Sequence, residues 1–468
     1  MAIGIGTANI NNRKPEIAIA PVNNPMQSLS PNHAMGDSRL KLSQELTEFP
    51  LDILEMSDSI EILDLSNNHL TSLPQEFSQL KKLRVAFFNN NQFEEFPEIL
   101  AACPNLSMVS FKGNQIKTIS ESALSANLRW LILTNNQLTS LPSSIGNLSH
   151  LQKCMLAGNQ LQTLPDELAN CKKLELIRLA ANQLQSLPPW LFSLPRLSWL
   201  AYAGNPCCEP TENQKNAALV TINPDELQLG QVLGQGASGV IYKALWKPAS
   251  ELTPVQDVAV KLFKGEITSD GLPTDEMQAC IAAGAHPNLV NVLGKLSQPI
   301  EGKNGLVFSF ISPEYGNLGN PPSLDTCTRD TYSDDTAFTL PVILKIVKEI
   351  ASVVSHLHSR GIMHGDLYAH NILVNAQGQS ILGDFGAASF YEPEDSVSGE
   401  MFERLEARAY GCLLEDLLER HVSDNEESEV KIFQRLRELQ QRCMAPEPGE
   451  RPLFSIISQL LTEVSTLV

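Results

Sequence analysis

Asparagine recurs at positions 68, 91, 114, 136, 159, 182 and 205, in steps of 23, 23, 22, 23, 23 and 23 residues. Around each lies the pattern L-x-x-L-x-L-x-x-N-x-L. It reads Ile60, Leu63, Leu65, Asn68 and Leu70 in the first unit, and Leu174, Ile177, Leu179, Asn182 and Leu184 in the sixth. A period of this length constrains the architecture more tightly than any local propensity. One coil has a single short strand and cannot cover its own apolar side, so successive coils must stack and share one continuous core. Each leucine buried in this way contributes roughly 1.5–3 kcal/mol. The asparagine stands where the chain turns inward, where its amide can satisfy backbone groups of neighbouring coils. Removing one such buried partner costs about 1–3 kcal/mol.

The pattern resembles the leucine-rich repeat family over about residues 38–210, with Leu40, Leu42, Leu46 and Phe49-Pro50 as a degenerate cap before seven repeats. Side chains between the leucines point to the concave face. One column across the stack reads Ile62, Val85, Met108, Trp130, Lys153, Leu176, Trp199, and the next Asp64, Phe87, Ser110, Ile132, Met155, Arg178, Ala201. An apolar face of this kind marks a binding surface. Its expected contact residues are Val85, Phe87, Met108, Trp130, Ile132, Met155, Leu176 and Trp199. The partner is another protein or the chain's own second half. Replacing Trp130 and Trp199 by alanine is expected to leave the solenoid folded and abolish partner capture.

Residues 1–37, rich in Asn, Pro and Ser and without periodicity, read as a disordered tail. Residues 211–226 read as a linker too short for free tumbling, and 227–468 as a second domain. The net charge of −19 argues against nucleic acid or an anionic membrane as the main partner. No run approaches the ~20 apolar residues of a membrane span, and the N-terminus lacks a basic region ahead of a long apolar core. Nine scattered cysteines without paired CxxC units fit free thiols in a reducing compartment, so a cytoplasmic location is expected.

The chemistry concentrates in 358–386, HSRGIMHGDLYAHNILVNAQGQSILGDFG. Phosphoryl transfer asks the protein mainly for a carboxylate that orients and deprotonates the attacking hydroxyl, and for oxygen ligands that hold magnesium on the phosphates. Asp366 fits the first role, and Asn371 and Asp384 the second. The runs Ile372–Val374 and Ile381-Leu382 read as a hairpin bringing the three polar side chains to one edge. Upstream, Gly234, Gly236 and Gly239 form G-x-G-x-x-G between two strands, followed by Val240-Ile241-Tyr242. Glycines let backbone N–H groups approach phosphates. Val258-Ala259-Val260-Lys261 then ends an apolar strand on a lysine that needs an anionic partner.

Strand, glycine loop, strand, VAVK and the later D…N…DFG together resemble the protein kinase family. The resemblance implies a two-lobed α+β domain after the α/β repeat solenoid, with ATP and magnesium as cofactors. Gly234, Gly236, Gly239, Ile241, Ala259 and Lys261 would line the nucleotide site. Phe308 would flank the adenine, with the backbone of Ser309 to Ile311 as the hinge. Glu276 is the expected partner of Lys261, with Asp275 as alternative, and Lys261, Glu276 and Asp366 form the catalytic set. Residues 312–338 read as an inserted loop, and Ile343, Val347, Ile350, Val354 and Leu357 as the buried stripe of a helix.

The chain also departs from the family. The Arg that usually precedes the catalytic Asp is Gly365. His370 or Tyr368 is expected to supply the contact that the family usually makes with a Lys beside that Asp. No A-P-E motif follows DFG. Only 391–404 separates it from the next expected helix, 405–420, where Glu406 takes the place of the family's buried Asp and Gly411 matches its Gly. Arg451 is then left with Glu394 or Glu403 as expected partner. The expectation is a protein kinase acting on Ser or Thr hydroxyls. The alternatives are a small-molecule phosphotransferase and a catalytically silent ATP-binding scaffold.

Overall fold

The computed structural model describes residues 38–209, 219–249, 254–392, 396–422 and 427–466. The tail read at 1–37 lies outside them. Each repeat contributes one three-residue strand: β1 (Arg39–Lys41), β2 (Ile62–Asp64), β3 (Val85–Phe87), β4 (Met108–Ser110), β5 (Trp130–Ile132), β6 (Lys153–Met155), β7 (Leu176–Arg178) and β8 (Trp199–Ala201). They pair in sequence order as one eight-stranded parallel sheet. The register runs straight across the stack, Met108 beside Trp130 and Leu176 beside Trp199. The convex side is closed by short 3₁₀ turns such as Gln75–Gln79 and Asp166–Asn170 rather than α-helices, each entered through a proline (Pro74, Pro165). Proline's fixed φ and missing N–H suit that entry position.

The asparagine ladder is the polar half of this core. Asn182 donates to Leu156 O (3.0 Å) and Leu179 O (2.9 Å), and accepts from Leu161 N (3.0 Å). One buried amide thus ties its own coil to the one before. The residue ahead of each ladder asparagine takes a positive φ: Asn67, Asn90, Gly113, Asn135, Gly158, Ala181 and Gly204.

The second half opens with a sheet ordered β10-β11-β12-β14-β13-β9. Its strands are β9 (Thr221–Ile222), β10 (Leu227–Gln235), β11 (Gly239–Trp246), β12 (Gln256–Phe263), β13 (Val292–Leu296) and β14 (Gly305–Ser309). The expected linker 211–226 is therefore too long at its C-terminal end. Ile222 is fully buried, and its strand runs parallel to β13. Helix α1 (Pro273–Ala283) crosses between β12 and β13. Strand β15 (Gly316–Asn317) lies in the expected inserted loop and pairs with the second half's C-terminal part.

That part is helical: α2 (Leu340–His358), α3 (Ser396–Glu419), α4 (Glu427–Cys443) and α5 (Phe454–Ser465). The stripe Ile343, Val347, Ile350, Val354 and Leu357 of α2 is wholly buried. Between α2 and α3 run β16 (Ile362–Met363), β17 (Ile372–Val374), β18 (Ser380–Leu382) and β19 (Ser389–Phe390); β17 and β18 form the expected hairpin. Helix α3 begins at Ser396, well before the expected 405. The stretch read as a loop is helix-forming, and Glu400 pairs with Arg404 one turn on at 3.0 Å.

The two halves meet over one apolar core. Phe192 and Tyr202 of the repeats pack on Phe402 of α3, with ring centres 4.9 and 5.4 Å apart. Ala157, Ala180 and Ala201 form a small-residue patch that receives Ala387.

Candidate active site

The nucleotide side is built within the second half of the chain. Strand β12 sends Lys261 toward α1, where its ammonium is ion-paired with the buried carboxylate of Glu276. Asp275, the alternative, points elsewhere: its Oδ2 approaches Gly204 of the last repeat. Burial pushes the Asp275 carboxyl up to about 6. The glycine loop joins β10 to β11. Gly236 N donates to Gly239 O at 2.9 Å, and a Cβ on Gly239 would stand 2.6 Å from Leu262 O, so no side chain fits there. Ile241 lies opposite Lys261 in the ladder.

Leu233, Ala259, Ser309, Phe310, Ile311 and Leu373 enclose a narrow cleft between the lobes. Leu233 and Leu373 were not singled out from the sequence. Phe308 lies directly opposite Ala259 in the ladder and is buried beside it on the same face of the sheet, while Phe310 lines the cleft itself.

The catalytic loop brings Asp366 and Asn371 together. Asn371 Nδ2 donates to Asp366 O at 2.9 Å and to its Oδ2 at 2.8 Å. The other amide atom, Asn371 Oδ1, is buried without a hydrogen-bond partner. A buried acceptor left open in this way is costly unless something occupies it. A hard oxygen of this kind, with the carboxylate of Asp384, fits a magnesium ion. Asp384 itself holds φ +55°, a left-handed conformation uncommon for a side chain and frequent at functional sites.

His364 fixes the loop from behind, its Nε2 donating to Gly383 O (2.9 Å) and its Nδ1 accepting from Asp366 N (3.3 Å). Glu406 accepts from Gly365 N (2.8 Å) and His364 N (3.2 Å), and lies 3.0 Å from His358 Nε2. Burial alone would raise the Glu406 carboxyl; His358 and the loop amides hold it below the usual carboxylate range.

The repeats cover the other flank of Asp366. Arg178, in the concave column of β7, is almost wholly buried and uses all three of its nitrogens. Nε donates to Asp270 Oδ1 (2.7 Å), Nη1 to Gly365 O (3.0 Å), and Nη2 to Asp366 Oδ1. Burial pushes the Asp366 carboxyl up, but the Arg178 guanidinium and the rings of His370 and His364 outweigh it and hold the group low. Trp199 stacks on Tyr368, ring centres 4.3 Å apart and 8° from parallel, and donates to Leu367 O at 3.2 Å. Gly365, at φ +73°, sits so close to β8 that a Cβ would lie 2.3 Å from Leu200 O.

Among the described residues neither His370 nor Tyr368 makes a hydrogen bond to Asp366, although the His370 ring helps hold that carboxyl low. His370 is tied to Asp330 at 2.6 Å, and Tyr368 is stacked under Trp199 with its hydroxyl unpartnered. Arg178 reaches Asp366 instead; its column was read, yet nothing local to Arg178 signals a site in the other half of the chain. Arg451 does not pair with Glu403, and Glu394 lies outside the described residues. Arg451 donates to Ala445 O (3.0 Å) and to Pro195 O of the repeats (2.8 Å), while Glu403 accepts from Phe454 N. Burial and the nearby Arg408 push the Arg451 guanidinium down to about 9.

The expected concave contact set divides in the same way. Leu176 and Trp199 are buried where the second half packs, so Trp199→Ala would strike the joint rather than a free surface. Val85, Met108 and Trp130 line a cavity of about 200 Å³ with Leu324, Asp325 and Cys327 of the inserted loop. Phe87, Ile132 and Met155 accompany them on the same face. That loop is strapped to the repeats by Thr328 on Glu175 and by Arg129 Nη2 on Asp325 O at 3.0 Å.

Comparison with known proteins agrees with this geometry. Residues 227–408 match the family model described as protein tyrosine and serine/threonine kinase, 126–184 a leucine rich repeat model, and 59–80 a second such model. Fibroblast growth factor receptor 1 of Xenopus laevis is 28% identical over 172 residues, covering 35% of this chain and 21% of that protein. Fibroblast growth factor receptor 1 of Pleurodeles waltl matches at the same identity and coverage. Cyclin-dependent kinase 11.1 of Caenorhabditis elegans is 28% identical over 172 residues, covering 36% and 22%. The chain thus spans about a fifth of the length of these curated relatives. Among the described residues no helix is long and apolar enough to cross a membrane. The family matches thus cover leucine-rich repeats in the first part of this chain and a protein kinase domain in the second.

Proposed function

We propose that the protein transfers the γ-phosphoryl group of ATP to a serine or threonine hydroxyl of a protein, with magnesium held by Asn371 and Asp384. The observation that carries this reading is the pairing of Asp366 with the amide nitrogen of Asn371, whose amide oxygen is buried and open. The ion would neutralise charge on the phosphates. Lys261, aligned by Glu276, would hold phosphate oxygens. The glycine loop would offer them backbone N–H groups, and the cleft lined by Ala259, Leu233 and Leu373 would receive the base. Asp366 orients the acceptor hydroxyl and takes its proton. A cytoplasmic location accompanies this reading and is supported by nine free cysteines.

One observation favours a second reading, transfer to a small molecule: the repeats cover the flank of Asp366 and narrow the approach of a folded acceptor. Incubation of the purified chain with γ-labelled ATP and magnesium separates the readings, with Asp366→Asn as control. Label on protein as phosphoserine or phosphothreonine supports the first, and label on a metabolite the second. ATP binding without transfer by the wild type and by Arg178→Gln alike would contradict both and leave a scaffold.

A further inference from the structure

We propose that Arg178 of the repeat domain is a positioning residue of the catalytic centre, so that the last repeats supply in cis the acceptor-side wall that the chain between DFG and α3 is too short to form. This inference rests on the phosphoryl-transfer reading above. Three independent observations carry it.

The first is the guanidinium fork. Its three nitrogens engage Asp270, Gly365 O and Asp366, and Arg178 is buried to 2% exposure. A planar fork held at three points fixes the carboxylate it touches in both position and rotamer. An ionised carboxylate offers about four acceptor directions. Arg178 takes one on Oδ1 and Asn371 one on Oδ2, so an acceptor hydroxyl can still bind.

The second observation is that the catalytic domain is shaped to receive the repeats. Gly365 stands where a Cβ would meet Leu200 O at 2.3 Å, and Arg451 finds an acceptor in Pro195 O. Tyr202 binds the end of the DFG segment twice, through its amide to Ser389 Oγ (3.0 Å) and its hydroxyl to Phe390 O (2.8 Å).

The third separates a permanent part from a removable plug. An inhibitory segment must leave, and the surface it uncovers must tolerate water. Here withdrawal would expose Trp199, Leu176, Tyr202 and Phe402, all buried in one core shared by the two halves. It would also leave Asp270 without its guanidinium. Meanwhile the Lys261–Glu276 pair on the nucleotide side is already made.

The test uses the full-length chain with magnesium and ATP. It compares wild type, Arg178→Gln and Arg178→Lys for γ-phosphoryl release to water and to casein, and for ATP affinity measured with a fluorescent analogue. The expected result for R178Q is a kcat lower by about 10–100-fold, the scale of a misplaced catalytic group, with unchanged KM and affinity for ATP. R178K recovers part of the loss, because it keeps the charge but not the fork. A role confined to holding the fold would lower the melting temperature without this split between kcat and KM. If R178Q does not fold, R178K alone decides. Activity equal to or above wild type in either variant overturns the proposal. A silent wild type with an active R178Q would mark Arg178 as a plug and leave the kinase reading standing. Silence in all three would remove both.

Discussion

The two flanks of the catalytic cleft are built in opposite ways. On the nucleotide side, Lys261 and its partner Glu276 lie 15 residues apart in one domain, and the glycine loop precedes them directly. On the acceptor side, Arg178 and Asp366 are separated by 188 residues and come from different architectures. One flank is local in sequence and self-sufficient. The other exists only because a solenoid docks on a catalytic loop. The comparison teaches that a short segment after DFG need not mean an incomplete site, since another part of the same chain can fill the space.

The largest expected effect is on the nucleotide side. Glu276→Gln breaks a buried ion pair, a change that costs about 3–5 kcal/mol when one charge is left uncompensated. ATP affinity should fall steeply in a binding titration, while the joint between the domains stays intact. If ATP affinity is unchanged, Lys261 is not aligned by Glu276, and the claim that this flank is self-sufficient breaks.

Gly365→Ala probes the opposite flank. The residue holds φ +73° and has Leu200 O and Ala387 O within 2.3 and 2.7 Å of any Cβ. Strain of this kind costs about 1–3 kcal/mol. The variant should unfold at lower denaturant and lose kcat while keeping ATP affinity, the mirror image of Glu276→Gln.

The smallest effect concerns Asp275, whose carboxyl burial pushes up to about 6 against the edge of the last repeat. A carboxyl with a raised folded pKa binds its proton more tightly when folded. The native state therefore loses stability as pH climbs from about 4 to about 6, and the penalty stays constant above that. Asp275→Asn should raise the melting temperature at pH 8 and have little effect at pH 4. Equal effects at both values would show that the carboxyl does not face the joint.

Legibility followed the same division. The repeat period named the solenoid, because stacking forces one spacing on every coil, and Asn182 bonds as its position in the pattern requires. Lys261, Glu276, Asp366 and Asn371 could be singled out because each belongs to a local pattern with known chemistry. Arg178 could not. In its column it is one polar residue on a concave face, and its meaning depends on a docking that no periodicity encodes. Gly365 was legible as an oddity, but its cause, the carbonyl of Leu200, lies in the other domain. Arg451 was expected to find a carboxylate nearby in sequence and found a repeat carbonyl instead.

A double-mutant cycle between Trp199 and Tyr368 tests most directly whether the repeats complete the catalytic domain. Unfolding free energies would be measured for Trp199→Ala, Tyr368→Ala and the pair together. The stacked rings predict a coupling of about 0.5–1.5 kcal/mol beyond additivity. Additive values, within about 0.3 kcal/mol, would mean that the two domains do not meet at this loop, and the account of the acceptor side would be wrong.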